Sequence, residues 1–583
     1  MMKKRFRYTL VAVAALALCP WQSAEACSSF IIGRNLTTDG SVLYGRTEDY
    51  PFLPQPGAHN KNYIVTKAKD YKKGAKLVDK SNGFTYPHLA HEYKYTSVPD
   101  ASRDTDEGIY GAHGQNEYGV SMTATTSAYP NDKILKVDPL VKDGLAESIF
   151  VSLVLPRIKT AREGIELTAK VLDKKGAAEG NIIVIADQNE LWYMEILSGH
   201  QYVAIKYPDD KYSIYPNMYF LGNVDFSDTA NVIASKDVEA VAKKANHYKE
   251  VDGKFHITNS YNTDYYLAGN RSRAYAGLKL MDPNSKVGYF DQYYDFLQTP
   301  TDPNRRYSVE DAIAIQRNRF ETLKEGFLPN DLYDKRGADG RPEVNAHKDG
   351  DKYKYAPGND NVVDAHFYQV KKDLPASMSS IMWLSNAPSR NTPYIPFYGT
   401  VTDTYKAFKP KDGQYNKNSF YWVAWHIDQM VAQNWDIFGS SIKEKWQALE
   451  KEEIAEQAAR DAKYTGKNDA DAKAASKEVT KDSLERSEKL FKQMKEVEKE
   501  MTQTIKEKGG KDKSIQKLAN AIKKQDEAAA KTESAANGVT ATASNSAKKA
   551  TQTTGNQIGL YATISVIIIA VFGFFYFQNK RKK

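Results

Sequence analysis

Hydrophobic positions follow two different periods along the first three quarters of the chain and then lose both. Residues 28–32 form a run of small and apolar side chains, Thr38-Asp39-Gly40-Ser41 carries turn chemistry, and residues 42–46 return as a second apolar stretch. That pattern predicts a β-hairpin. Residues 119–126, 181–186 and 191–197 are apolar or alternating over strand lengths, whereas 145–159, 160–174 and 308–325 place apolar residues at helical spacing. Strands and helices in segregated runs predict an α+β layered domain.

From about residue 444 the composition shifts to Glu, Lys, Ala and Gln, and residues 455–475 read as helical or solvated. Leu490, Met494, Val497 and Met501 fall at spacings of four, three and four, which predicts a short amphipathic helix packed on the domain or on a neighbouring helix. Gly509-Gly510 interrupts it, and the Ala, Thr, Ser, Lys and Asn of residues 528–554 read as a flexible stalk. Residues 558–577 are an uncharged, mostly apolar run of 20 residues followed by Lys580-Arg581-Lys582-Lys583. Such a run is long enough to span a bilayer, and its basic end belongs in the cytoplasm.

The opposite end has a basic start at residues 1–7, an apolar run at 10–18 too short for a stable anchor, and the small-x-small pattern Ala24-Glu25-Ala26. This is a signal peptide pattern with cleavage after Ala26. The expected organisation is a signal peptide at 1–26, a catalytic domain at 27–450, a charged helical region at 451–507, a stalk at 508–557, a transmembrane helix at 558–577 and a basic tail at 578–583. No Leu-Pro-x-Thr-Gly motif precedes the span, so the expected attachment is to the membrane of a Gram-positive cell, with the domain outside.

Composition narrows the chemistry. With 583 residues, 41% hydrophobic and 11% aromatic, the chain can bury a large core. Its net charge of +8 is spread over the termini and Lys-rich stretches, which does not indicate a nucleic-acid partner. Cys19 and Cys27 are the two cysteines, and Cys19 lies in the segment expected to be removed. Cys27 would then be the mature protein's sole thiol, and it cannot form an internal disulfide. It is a bystander, a lipid attachment point or a reactive group; a lipidation signal fits Ala24 and Glu25 poorly.

The reactive reading has a physical basis. Cleavage after Ala26 would place an α-amino group, with an ordinary pKa of about 7.7 to 8.0, on the same residue as a thiol of about 8.5. One residue then holds both a nucleophile and a base. The hairpin would bring Arg46 and Asp49, from Arg46-Thr47-Glu48-Asp49, back beside Cys27. There a guanidinium can favour the thiolate and a carboxylate can orient the amine. Other patterns are weaker. His88-Leu89-Ala90-His91-Glu92 matches no zinc-protease order and is read as non-metal. No Gly-x-Ser-x-Gly, Walker or dinucleotide fingerprint occurs.

Cys27 followed by the Arg46-x-x-Asp49 hairpin end resembles the C69 family of dipeptidases, cysteine members of the amino-terminal nucleophile hydrolase superfamily. Further stretches resemble the same branch, in the same order along the chain: Arg103-Asp104-Thr105-Asp106-Glu107-Gly108, Asn116-Glu117-Tyr118-Gly119-Val120-Ser121, residues 187–195 with Trp192, Tyr215-Pro216-Asn217-Met218-Tyr219, and residues 383–405 with Pro396-Phe397-Tyr398. The resemblance covers about residues 27 to 450. It implies a four-layer αββα fold and hydrolysis of dipeptides with no metal or organic cofactor. It also implies Asn217 as an oxyanion donor, with Asn223 as the alternative, and Arg273 as a further active-site group, with Arg271 competing. Where acylase relatives carry a contacting Asn, the nearest residues here are Thr125 and Thr126. Asp104 and Asp106 are candidates for binding the free amino terminus of a peptide. Two rivals stand beside this expectation: an amidase of the same superfamily acting on N-acyl amides, and a non-catalytic surface binding protein.

Overall fold

The computed structural model describes residues 27–49, 60–101, 111–263, 268–291, 293–321, 323, 354–359, 361–410, 415–510 and 512. The signal peptide, Asp104, Asp106, most of the stalk, the apolar run 558–577 and the basic tail lie outside these residues. Among the described residues no helix is long and apolar enough to cross a membrane.

Two antiparallel sheets form the centre of the α+β domain. The six-stranded sheet has the order Tyr212–Tyr215, Ser28–Ile32, Val42–Asp49, Val362–Val370, Ser380–Ser385, Ile395–Tyr398. The eight-stranded sheet runs Val232–Ala234, Tyr202–Lys206, Leu191–Ile196, Asn181–Ala186, Ser121–Ser127, Gly111–Asn116, Tyr95–Pro99, Ile64–Thr66. The expected hairpin is present, with Ser29 opposite Arg46 and Ile32 opposite Leu43.

The sheets face each other through polar side chains. Tyr44 Oη donates to Ser121 Oγ at 2.7 Å, and His366 Nε2 lies 2.9 Å from Thr123 Oγ1. Side chains alternate across a strand, so Met122 and Ala124 point the other way, into an apolar core shared with Ile183, Ile185, Trp192 and Met194. Helix Ala161–Lys175 covers that face with Ile165, Ala169 and Leu172. Thr160 caps its start, accepting from Glu163 N at 3.2 Å, and Gly176 ends it at φ +68°. Ile165 and Leu172 are fully buried and each contributes about 1.5 to 3 kcal/mol. Helices Ala268–Met281 and Val309–Arg317 pack on the six-stranded sheet.

Three helix expectations change in detail. Residues 145–159 form not one helix but short pieces, Glu147–Ile149, Phe150–Val154 and Leu155–Arg157. Pro156 lacks the N–H that would continue the helical ladder. The helix expected over 308–325 starts with a capping box between Ser308 and Asp311 but stops at Arg317, where Asn318 takes an extended ψ of 132°. The short amphipathic helix around Leu490 is a 33-residue helix, Ser476–Lys508, packed on helix Phe420–Gln433. Helix Trp435–Ala462 runs through position 450 without a break.

Candidate functional site

Cys27 precedes the first strand of the hairpin and is buried at 4% exposure, with φ at +71°. Arg46, on the neighbouring strand, is fully buried. Its Nη1 donates to Cys27 Sγ at 3.1 Å, and its Nη2 donates to Glu48 Oε2 and to Ala124 O, each at 3.2 Å. The guanidinium therefore ties the thiol to both sheets. Asp49, at the strand's end, accepts from Asn359 Nδ2 at 2.7 Å through Oδ2, while its buried Oδ1 has no hydrogen-bond partner. Burial pushes the Asp49 carboxyl up, and Arg273, Asn359, Thr47 and Arg46 counter it.

Burial also pushes the Cys27 thiol up to about 12, against the pull of the Arg46 guanidinium, with Asp49, Glu147 and Glu48 adding to the rise. Desolvation outweighs the single cation. At neutral pH the thiol is protonated, and an attack through sulfur needs a base beside it.

The remaining candidates separate clearly. The Tyr212–Tyr215 strand pairs with Ser28–Ile32, Tyr215 opposite Ser29, so the chain leaving it carries Asn217 to the level of Cys27. Asn217 Nδ2 donates to Ser127 O at 3.0 Å, and Asn270 Nδ2 donates to Asn217 O at 3.1 Å, which fixes the loop. Asn223 instead uses its amide on Phe255 O at 3.0 Å. Arg273 Nη1 donates to Cys27 O and its Nη2 to Asn270 Oδ1 at 2.6 Å. Arg271 instead lies over the Tyr289 and Phe290 rings.

The strand Ser121–Ser127 shifts register between Ala124 and Thr126. A bulge re-aims the side chains beyond it, and Thr126 Oγ1 reaches Ser29 Oγ at 2.7 Å. The structure thus brings together Cys27, Arg46, Asp49, Asn217, Arg273 and Thr126.

A second layer of charge behind Arg46 was missed by the sequence reading. Glu48 binds Lys61, and Lys61 Nζ lies 2.5 Å from Asp100 Oδ1. Asp364 Oδ2 sits 3.1 Å from His113 Nε2 and 3.0 Å from His366 Nδ1, all fully buried. Burial alone would raise the Asp364 carboxyl, but the two imidazoles hold it well below the usual range. The available signal was Asp364 and His366 two residues apart in an otherwise apolar stretch, one face of a strand.

The two imidazoles and the carboxylate are the residue types that hold a metal, but their geometry does not favour one. The inner nitrogens of both rings are taken by Asp364 Oδ2, and the rings stack at 3.4 Å with planes 9° apart, so one ion could not lie in both ring planes at once. Their outer nitrogens contact the Tyr368 and Thr123 hydroxyls, each at 2.9 Å. His88 and His91 are likewise paired, with Glu92 at 3.0 Å and Asp70 at 2.7 Å.

The profile described as Peptidase family C69 matches residues 26–448. A probable dipeptidase B of Streptococcus pyogenes serotype M1 is 50% identical over 473 residues, 81% of this chain and 92% of the relative. A probable dipeptidase of Latilactobacillus sakei is 29% identical over 71% of this chain and 82% of its own. A mutant conjugated bile acid hydrolase from Clostridium perfringens aligns over 40% of this chain and 63% of its own at 16% identity, with a TM-score of 0.17.

Proposed function

The chain belongs to peptidase family C69 and is a dipeptidase, and we propose that Cys27, its amino group freed by removal of residues 1–26, is the nucleophile of an amino-terminal nucleophile hydrolase. The observation that carries this reading is the buried Arg46 guanidinium donating to Cys27 Sγ at 3.1 Å, with the uncommitted Asp49 Oδ1 at the end of the same strand.

The α-amine takes the thiol proton as sulfur attacks the peptide carbonyl, forming a tetrahedral oxyanion. Arg46 favours the sulfur's negative charge, and Asp49 accepts from the resulting ammonium and holds it in place. Asn217 has a second N–H beyond the one on Ser127, and with a backbone amide it receives the oxyanion. The ammonium then protonates the leaving amino acid. Water, deprotonated by the same amine, cleaves the thioester and releases the first amino acid as its carboxylate. A positive φ at a non-glycine residue costs about 1 to 2 kcal/mol, and cleavage before Cys27 removes that constraint.

The working location in this reading is outside a Gram-positive cell, held by residues 558–577. Support comes from the apolar run, the basic residues after it and the signal peptide pattern. Export and activation would then be one event.

Amino-terminal mass analysis of the mature protein, paired with dipeptide hydrolysis by the native protein and its Cys27→Ser variant, tests the mechanism. The expected result is Cys27 as first residue, unmodified, and a variant at least a thousandfold slower. A different first residue, a lipid on Cys27 or an active variant overturns it. Preference for N-acyl amides over unblocked dipeptides would favour the acylase alternative.

A further inference from the structure

Asn217 sits in a stretch without regular secondary structure. Residues 216–223 leave the Tyr212–Tyr215 strand and form neither helix nor strand, yet Asn217, Tyr219, Phe220 and Leu221 are all buried. Buried backbone groups need partners, and here no ladder supplies them. An oxyanion donor also has to be held in place before the reaction begins. Side chains from outside the stretch meet both needs.

Glu195 is the chief of these. It lies on strand Leu191–Ile196 of the eight-stranded sheet, on the side opposite Trp192 and Met194, and is fully buried. One oxygen, Oε1, accepts from Phe220 N at 2.5 Å, from Leu221 N at 3.1 Å and from Tyr193 Oη at 2.8 Å. Asn262 holds the preceding residue in both directions, its Oδ1 accepting from Tyr219 N and its Nδ2 donating to Tyr219 O, each at 2.9 Å. Tyr219 Oη donates to Ile196 O at 2.8 Å, one residue beyond Glu195. Asn270 completes the row on Asn217 O. The same sheet supplies Ser127 O, which takes one N–H of the Asn217 amide. Backbone and side chain of the donor are thus both referred to a single frame.

Packing alone does not call for a carboxyl at this position. Two of the donors belong to Tyr193 and Phe220, whose rings both pack on Phe296 at centroid distances of 4.3 and 6.3 Å. In these apolar surroundings Oε2 is buried with no hydrogen-bond partner, and burial pushes the carboxyl up to about 7 against the three donors. A half-satisfied acid is a liability in a core. What this one supplies is a fixed loop.

We propose that Glu195, together with Asn262, is a positioning residue for catalysis: by fixing residues 219–221 to the eight-stranded sheet it holds the Asn217 amide at the oxyanion. The inference rests on Asn217 being the oxyanion donor. Glu195 makes its hydrogen bonds to the loop and to Tyr193, so its influence reaches the chemistry through Asn217. Its loss should remove transition-state stabilisation and leave ground-state binding in place.

The test is steady-state hydrolysis of L-alanyl-L-alanine by the native protein and its variants, beside alkylation of Cys27 by iodoacetamide, which forms no oxyanion. Glu195→Leu is expected to lower kcat at least tenfold, with KM and the alkylation rate each within threefold of native. Glu195→Gln keeps a carbonyl oxygen for the same donors and should recover at least fivefold of that loss. In an Asn217→Ala background, Glu195→Leu should cost less than a further threefold, because the two act as a unit. A folded Glu195→Leu variant with native kcat, losses that multiply with those of Asn217→Ala, or an alkylation rate that falls along with kcat overturns the assignment. Asn217→Ala with native kcat would instead remove the oxyanion reading beneath it.

Should Glu195→Leu fail to fold, Asn262→Ala decides. The half-buried Asn262 would give up both bonds to Tyr219, and kcat should fall at least fivefold with KM within threefold of native. A native kcat overturns the assignment.

Discussion

Arg46 concentrates the balance of forces at the scale of single residues. Its guanidinium is fully buried and divides its donors among Cys27 Sγ, Glu48 and Ala124 O. Replacing it by Met would strand the Glu48 carboxylate inside the protein beside Lys61, and breaking a buried pair in this way costs about 3 to 5 kcal/mol. Arg46→Met is therefore expected to lower the thermal unfolding midpoint sharply. Arg46→Lys keeps the charge but offers a single point where a planar fork is used, so kcat/KM should fall at least tenfold with a smaller loss of stability.

Asp49 should behave in the opposite way. Its carboxyl is pushed up mainly by burial, so Asp49→Asn relieves a desolvation cost while removing the acceptor proposed for the ammonium. Unfolding should show an unchanged or higher midpoint, and steady-state kinetics a kcat lower by about a hundredfold. Active sites commonly trade stability for chemistry in this manner.

Among the elements, the helix pair at the end of the domain carries a pH dependence of its own. His426, on helix Phe420–Gln433, lies 2.8 Å from Glu498 Oε1 on helix Ser476–Lys508 and 3.2 Å from Asp512 Oδ2. Burial would lower this histidine, but the two carboxylates lift it to about 9. Burial would likewise raise Glu498, and His426 and Lys495 hold it below its usual value. A raised histidine stabilises fully below its unfolded pKa and loses that contribution as pH rises through its folded one.

The docked pair should accordingly lose on the order of 3 kcal/mol between pH 6.5 and pH 10. Denaturant unfolding across that range checks it, and His426→Gln should flatten the slope. On the acid side the Glu498 contribution fades as pH falls through its depressed pKa. Helix docking is therefore best supported between the two limits.

For the whole molecule, the described residues from 27 to 512 belong to one compact unit, and the long helices are part of it. Leu490, Met494, Val497, Met501 and Ile505 are buried along one face of helix Ser476–Lys508. A chain of residues 27–450 would cut helix Trp435–Ala462 in the middle and expose the apolar face of helix Phe420–Gln433. It is expected to aggregate or to melt far below the parent. A chain of residues 27–512 keeps all of these contacts and should retain the parent's kcat/KM and melting temperature. Size-exclusion chromatography with thermal unfolding and dipeptide kinetics distinguishes the two.

What the chain's order alone determined was local chemistry. Turn residues at 38–41 between two apolar runs specify the hairpin, because a tight turn and a period of two leave one register that buries both strands. That register carries Arg46 and Asp49 back to Cys27, so half of the site was legible before any fold was known. Helix Ala161–Lys175 was legible for the same reason, since its cap, apolar stripe and terminal glycine are all local.

The rest depended on neighbours distant in sequence. Arg273 and Arg271 are alike on paper, and only the packing of helix Ala268–Met281 on the six-stranded sheet points one at Cys27 O and the other at aromatic rings. Thr126 faces Ser29 because of a bulge that no side-chain pattern announces. Lys61, Asp100, His113 and Asp364 acquire meaning only where two sheets and their crossing segments enclose them. Their charges then lie in a medium where each must be paired or protonated, a condition set by tertiary burial and not by the order of residues along the chain.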